Sequence, residues 1–359
     1  MINELIIHLG DTKTGSTSIQ KTLIGKGCVS PGKSILYPTK NHHLGLAKTL
    51  STKRRFSERH ERFNRIYEAF QNSDADYGIV SAEHFQFVEP EALSEAVETY
   101  WPDLAGSLRL VAYVRPHADK MLSAFSERIK LGSRLLSLNS FFDTLSDSDG
   151  LDYTPRFEKW RATFGDRFEL RPFVRDELYH NDVVSDFYRV VLGSEDFAIK
   201  SPVEANPSLT VSQLSLLREV HKGVNIKLGS ATGPRMREVR GSLGRLVTDH
   251  IQSTGLGQDG EKLRMPAALA ARFTERYAAD AEALDTAFFD KFLMSEALEK
   301  MQHKTIDTAQ SLDATDYFPT DVISSVQSFA YVLADLVAQN PNKFKKMISG
   351  VRAGGSIET

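Results

Sequence analysis

Near its start the chain has a short apolar run broken only by His8, Leu5-Ile-Ile-His-Leu9, too short for a helix and rich in isoleucine, which predicts a buried strand. Gly10-Asp-Thr-Lys-Thr-Gly15-Ser-Thr-Ser18 follows with no large apolar residue, and Ile19-Gln-Lys-Thr-Leu23 then takes up helical spacing. Tyr77-Gly-Ile-Val-Ser81 and Leu108-Arg-Leu-Val-Ala-Tyr-Val114 predict two more strands, the second stopped by Pro116. A helix is expected from about His117 to about Lys130, and a shorter strand at Phe168-Glu-Leu-Arg-Pro-Phe173. Strands that alternate with helical stretches predict an α/β fold, a mostly parallel sheet flanked by helices. Ligands of such sheets bind beyond the C-terminal ends of the strands. The Gly10–Ser18 loop, Glu83 and Arg115 all follow strand ends.

After about residue 205 the strand signals fade, which predicts a helical C-terminal part. Ser212–Arg218, Pro266–Phe289 and Asp321–Gln339 have helical spacing, the last amphipathic. Gly229–Gly244 reads as a basic loop with Arg235, Arg237 and Arg240, and Gly350–Thr359 as a disordered end. The organisation expected is one domain over 1–300, with an α/β core to about 200 and a helical acceptor-side part over 201–300, and a helical extension over 301–359.

Composition narrows the function classes. Lys+Arg number 44 against 47 Asp+Glu, a net charge of -3, which argues against a dedicated nucleic-acid binder. The single cysteine, Cys28, rules out an intramolecular disulfide and a cysteine-based zinc site. No apolar stretch reads as a signal peptide or a membrane span, and a cytoplasmic location is expected.

Backbone amides at a glycine-bearing turn, together with a helix N-terminus, form a site for anionic oxygens. Gly10 and Gly15 have the spacing of a nucleoside-triphosphate loop, G-x-x-x-x-G-K-[ST], but Ser16 stands in the lysine position and the lysine is Lys13. A lysine on the crown of the loop suits the bridging oxygen of a phosphosulfate, where charge develops as the sulfuryl group leaves. The amides of Thr14 and Gly15, with the Ser16, Thr17 and Ser18 hydroxyls, then hold a 5′-phosphate. The bland alternative is a Gly/Thr turn with a solvated lysine. Arg115 at a strand end, with Ser123 eight residues on in the next helix, suits a second phosphate. A nucleotide with a 3′-phosphate needs such a site and ATP does not.

These residues carry a resemblance. Lys13-Thr-Gly-Ser-Thr-Ser18, with Tyr113-Val-Arg-Pro116 and Ser123, resembles the two phosphate segments of P-loop sulfotransferases, in particular bacterial carbohydrate-type members. Val80-Ser-Ala-Glu83, Arg171-Pro-Phe173 and Asn206-Pro-Ser-Leu209 are weaker echoes, and the resemblance covers roughly residues 5–290. It implies a P-loop-type sheet and 3′-phosphoadenosine 5′-phosphosulfate (PAPS) as co-substrate, with no metal requirement. It also implies sulfuryl transfer to a hydroxyl, on a carbohydrate or glycolipid. His117 departs from the family pattern, where another arginine or a polar residue is common, and leaves Arg115 with less help at the 3′-phosphate.

The acceptor needs a base, and Glu83 is the candidate, with His84 beside it and His43 as rival or acceptor-side group. The bland readings are a carboxylate paired with Lys13 and, for His42 and His43, surface imidazoles; His8 reads as a satisfied core histidine. Lys53–Arg65 holds six Lys/Arg against two Glu, which suits an anionic polysaccharide or glycolipid acceptor but better fits a solvated helix face with i,i+4 pairs. An ATP- or GTP-dependent phosphotransferase, and a non-catalytic interaction protein on a nucleotide fold, remain alternatives.

Overall fold

A computed structural model describes residues 1–132, 137–200, 208–228 and 233–352. In chain order the first elements are β1 (Glu4–Leu9), α1 (Ser16–Ile24), β2 (Cys28–Val29), β3 (Ile35–Leu36), α2 (Leu44–Ser51), α3 (Arg59–Gln71), β4 (Tyr77–Ala82), α4 (Pro90–Tyr100) and β5 (Leu108–Val114). Next come α5 (His117–Lys130), α6 (Leu138–Ser146), α7 (Tyr153–Phe164), β6 (Phe168–Pro172), α8 (Val183–Leu192) and β7 (Ala198–Ile199). Helices follow: α9 (Val211–Leu228), α10 (Pro234–Thr254), α11 (Ala267–Phe288), α12 (Leu293–Gln302), α13 (Thr320–Gln339) and α14 (Pro341–Arg352).

Two compact units interleave along the chain. The first is Met1–His117, Gly150–Asn206 and Tyr277–Leu298; the second is Ala118–Asp149, Pro207–Arg276 and Glu299–Thr359. The first unit holds a five-stranded sheet of order β3-β4-β1-β5-β6, parallel throughout, and an antiparallel β2-β7 pair. The apolar runs become strands because both sheet faces are covered: β4 is buried at every position and β1 at all but Glu4. One face packs Ile6, Ile79 and Val111 against Ile19 and Leu23 of α1 and against Val183, Val184 and Phe187 of α8. Burial of each such side chain contributes roughly 1.5–3 kcal/mol.

The register brings the strand ends level. Leu9 pairs with Ala82 and with Ala112, and Val114 with Pro172, so Gly10, Glu83, Arg115 and Phe173 all leave one edge of the sheet. The chain turns from β1 outward to β3 and β4 on one side and to β5 and β6 on the other, so the order reverses at β1, where α/β sheets bind ligands.

The second unit is helical. Val220 and Val224 of α9, Val239 and Leu243 of α10, Ala330, Ala334 and Val337 of α13, and Phe344 and Ile348 of α14 share one core.

Several expectations change. The basic loop is helical from Pro234 onward, while residues 229–232 lie outside the described ones. Its glycines are there for contact: a Cβ on Gly244 would sit 1.7 Å from the Lys130 carbonyl oxygen, and one on Gly241 3.1 Å from Leu131. Of Gly350–Thr359, α14 includes the first residues to Arg352, and 353–359 lie outside the described residues. So does the Asn206-Pro207 part of its echo. By length and composition α13, with a mean hydropathy of 1.3, is long and apolar enough to cross a membrane, but it carries Asp321 and Asp335 and packs Ala330, Ala334 and Val337 into the core of the second unit. Lys53–Arg65 forms a 3-10 turn and the start of α3, where Glu58 binds Arg55 and Arg62, and Glu61 binds Arg65.

Candidate anion-binding site at the end of the central strand

Beyond β1 the chain must bend sharply and then start a helix. Lys13 adopts φ 69° and Gly15 φ 75°, both left-handed. A glycine meets that demand without strain, whereas a lysine costs energy to hold there. Gly15 has a second reason to be glycine, since a Cβ would lie 2.6 Å from Val183 Cγ1. Between them Thr14 is fully buried, and its hydroxyl donates to the Asp11 carbonyl at 2.7 Å. Gly15 starts α1 with no side-chain cap and no acidic residue in the first turn. First-turn amides lack intrahelical partners, so this end of α1 carries positive potential, and no acidic residue of the helix's own first turn offsets it.

Glu83 follows β4 directly, and its Oε1 accepts a 2.5 Å hydrogen bond from the Ser16 hydroxyl. Its nearest hydroxyl partner is thus the residue in the lysine slot of a triphosphate loop, and that serine is 1% exposed. Gly10 permits the contact, for a Cβ there would lie 3.1 Å from Ser16 Cβ and 3.3 Å from the Glu83 backbone. Of the other expected phosphate hydroxyls, Thr17 is exposed and Ser18 half-buried, with the Ser18 amide bonded to the Gly15 carbonyl.

Arg115 leaves β5 at the same edge. Its Nη1 donates to the Lys13 carbonyl at 3.2 Å, and its guanidinium lies 5.6 Å from the centre of the Phe173 ring. Arg115 therefore touches the loop itself. Ser123 stands on α5, half-buried, in the second unit.

His117 is fully buried, and its Nε2 lies 2.8 Å from Asp280 Oδ2. Asp280 also accepts the Tyr153 and Thr154 amides at 2.9 Å each. Burial pushes its pKa up, but the hydrogen bonds from His117 and those two amides outweigh it and hold the carboxyl below its usual value. Arg171 forks onto Asp186 at 2.6 and 2.7 Å, and Tyr113 donates to the same carboxylate at 2.7 Å, so this echo residue braces β6 against α8.

The histidines separate by environment. His43 is not a surface imidazole: it is 5% exposed, its amide donates to the Ser81 carbonyl, and its Nδ1 accepts the Ser81 amide at 3.1 Å. Burial lowers its pKa to about 3, so the ring is neutral at pH 7. His84 is half-buried, bonded through Nε2 to the Ser51 hydroxyl at 2.9 Å, with its pKa lowered by burial and then by Lys48. His8 is a core residue whose Nδ1 meets the Ser81 hydroxyl at 2.8 Å, but its Nε2 has no hydrogen-bond partner among the described residues, so it is only half satisfied. Among the described residues no group of three or more His, Cys, Asp or Glu is placed to hold a metal ion.

Two residues of this site carried no signal that spacing could reveal. Asp11, 3% exposed inside the loop, pairs with Arg156 of α7 at 3.0 Å, a contact across 145 positions. A small cavity lies beside them, lined by Leu9, Phe85, Gln86, Phe157 and Trp160.

No protein-family model matches the chain, and no curated protein sequence matches it. Among solved structures, the crystal structure of a sulfotransferase from Alicyclobacillus acidocaldarius is similar at 15% identity over 62% of this chain and 93% of that one, with a TM-score of 0.40. At that TM-score the likeness carries no weight for fold or activity.

Proposed function

We propose that this chain is a sulfotransferase that moves a sulfuryl group from PAPS to a hydroxyl acceptor, a carbohydrate or glycolipid. One observation carries the reading. The position that holds lysine in a triphosphate loop is here a buried serine bonded to Glu83, while the loop's lysine stands at 13, on a left-handed crown residue whose carbonyl Arg115 holds. The uncapped α1 N-terminus supports an anionic ligand at the loop, so the residues suit the 5′ end of the co-substrate.

In this reading PAPS supplies the activated sulfuryl group. Lys13 offsets the charge that develops on the departing phosphate oxygen, and the loop from Thr14 to Ser18 holds that phosphate. Glu83 takes the proton of the acceptor hydroxyl as the new sulfur–oxygen bond forms. Arg115 binds the 3′-phosphate, with Ser123 carried over from its spacing as a proposed hydroxyl donor to the same group. Positioning contributes a large share of the rate. His84, beside Glu83 in the chain and half-buried, is the stronger candidate for the acceptor side; His43, buried and braced on β4, is the weaker one.

Calorimetric titration with 3′,5′-ADP and ADP tests this reading. The 3′,5′ isomer is expected to bind more tightly, and Arg115→Ala to weaken it roughly 10–100-fold, the loss of a charged hydrogen bond or two. Tighter binding of ADP would sink the proposal, and equal affinity in wild type and variant would remove Arg115 from it.

A further inference from the structure

A helix on the surface of a folded unit buries one face and turns polar side chains outward. α13 does the first and only partly the second. Its Ile323, Ala330, Ala334 and Val337 are buried, and a Cβ on Gly223 of α9 would lie 2.6 Å from Ala330 Cβ, so α13 is seated closely on α9. A second stripe holds Val322, Ser325, Phe329, Val332 and Leu336, whose spacings alternate between three and four residues and so line up as one seam. Phe329, Val332 and Leu336 are 59%, 56% and 44% exposed, and Val322 is partly exposed. Single exposed apolar side chains are ordinary, but a row of them marks a surface that meets another molecule.

The charges around the seam point to what that molecule is. α13 holds no Lys or Arg; its two charges are Asp321, in the first turn, and Asp335, which pairs with Lys227 of α9. Asp316, just before the helix, is exposed. α14 begins one residue after α13 and holds Lys343, Lys345 and Lys346 with no Asp or Glu. Lys345 pairs with Glu238, and Lys343 and Lys346 are exposed. The seam is thus acidic where it starts and basic where it ends. A lipid surface favours a helix flanked by Lys and Arg, and the acidic start of this one opposes an anionic membrane. A second copy of the same seam, laid antiparallel, matches it at both ends at once, as the two-fold symmetry of a dimer requires. We propose that this seam is the contact through which two copies of the chain pair, antiparallel. Phe329 then lies beside Val332 of the partner subunit, Leu336 over the partner's Ser325, large against small, and Asp321 within reach of the partner's Lys343. The pairing does not depend on which nucleotide the loop binds.

The test is sedimentation equilibrium of the full chain over a concentration series. The variants are Phe329→Glu, Leu336→Glu, Asp321→Lys, Lys343→Asp and the double variant Asp321→Lys with Lys343→Asp, each checked for fold by circular dichroism. Wild type is expected to pass from the mass of one chain to that of two as concentration rises. Phe329→Glu and Leu336→Glu should each weaken pairing about a hundredfold or more, because two-fold symmetry places the new charge in the contact twice. Asp321→Lys or Lys343→Asp alone sets like charges against each other at both ends and should weaken pairing about three- to tenfold. The double variant restores opposite charges and should return to within about threefold of wild type. A wild type that keeps the mass of one chain overturns the proposal, and so does pairing that both glutamate variants leave intact. Charge variants without effect, or a double variant as weak as the singles, overturn the antiparallel arrangement and the proposal with it. If Phe329→Glu does not fold, Leu336→Glu and the charge variants decide. Co-sedimentation with vesicles of phosphatidylcholine and phosphatidylglycerol covers the other occupant: vesicle binding that Phe329→Glu abolishes, with no pairing in solution, gives the seam to a membrane and overturns the proposal.

Discussion

Gly15→Ala isolates the geometry on which the loop depends. An alanine at φ 75° costs roughly 1–2 kcal/mol for its left-handed backbone. Its Cβ would also lie 2.6 Å from Val183 Cγ1 and 3.3 Å from Phe173 Cε2. Carbon atoms rest at about 3.5–4.0 Å, so the valine contact forces a shift of close to an ångström. Val183 is 8% exposed in the core that joins α1 and α8, where overpacking costs about 1–3 kcal/mol. The two effects together predict a loss of about 2–5 kcal/mol. The assay is urea unfolding of Gly15→Ala, Val183→Ala and the double variant. Truncation of Val183 removes the clashing atom and leaves the backbone cost. The double variant should therefore be about 1–3 kcal/mol more stable than the sum of the singles implies. A loss under about 1 kcal/mol would refute the left-handed turn, and additivity within about 0.5 kcal/mol would refute the clash.

Acid should destabilise the first unit through its buried histidines. Burial lowers both His8 and His43 to about 3 in the folded state, so the stability that they contribute is full above the unfolded value of about 6.5 and falls as pH drops toward 3. At pH 5 each should forgo about 2 kcal/mol, and His8→Phe or His43→Phe should flatten the pH dependence of urea unfolding; an unaltered slope between pH 6.5 and 4.5 contradicts the assignment. Asp186→Asn removes the buried charge that Arg171 grips twice and should cost about 3–5 kcal/mol in the same assay, with a loss below about 1 kcal/mol counting against the brace.

Continuous apolar runs made the sheet legible, because strands buried on both faces need no alternation. β1, β4 and β5 arise from such runs, whereas β6, at the sheet edge, alternates Phe168 and Leu170 with Glu169 and Arg171. The two-residue strands β2, β3 and β7 are too short for any periodicity and exist through their partners. α10 was obscured by Gly241 and Gly244, which weaken a helix locally yet allow its close approach to Leu131 and Lys130. In the site, Gly10, Lys13, Gly15, Glu83 and Arg115 were legible as residues at strand ends. What they touch was not. The spacing paired Glu83 with Lys13 as its bland alternative, whereas the structure gives it Ser16. Asp11 with Arg156, and Asp186 with Arg171, are tertiary pairs that depend on helices packed over the sheet, and local sequence holds no trace of that packing.

The central claim is that Lys13 acts on a phosphosulfate. Release of 3′,5′-ADP from PAPS by the full chain, with and without sugar acceptors, measures it directly. Wild type should turn PAPS over. Lys13→Ala should lose roughly a hundredfold or more in rate, the scale seen when a donor to developing charge is removed, with 3′,5′-ADP affinity changed far less. Turnover of ATP but not PAPS, or Lys13→Ala as fast as wild type, would contradict the account.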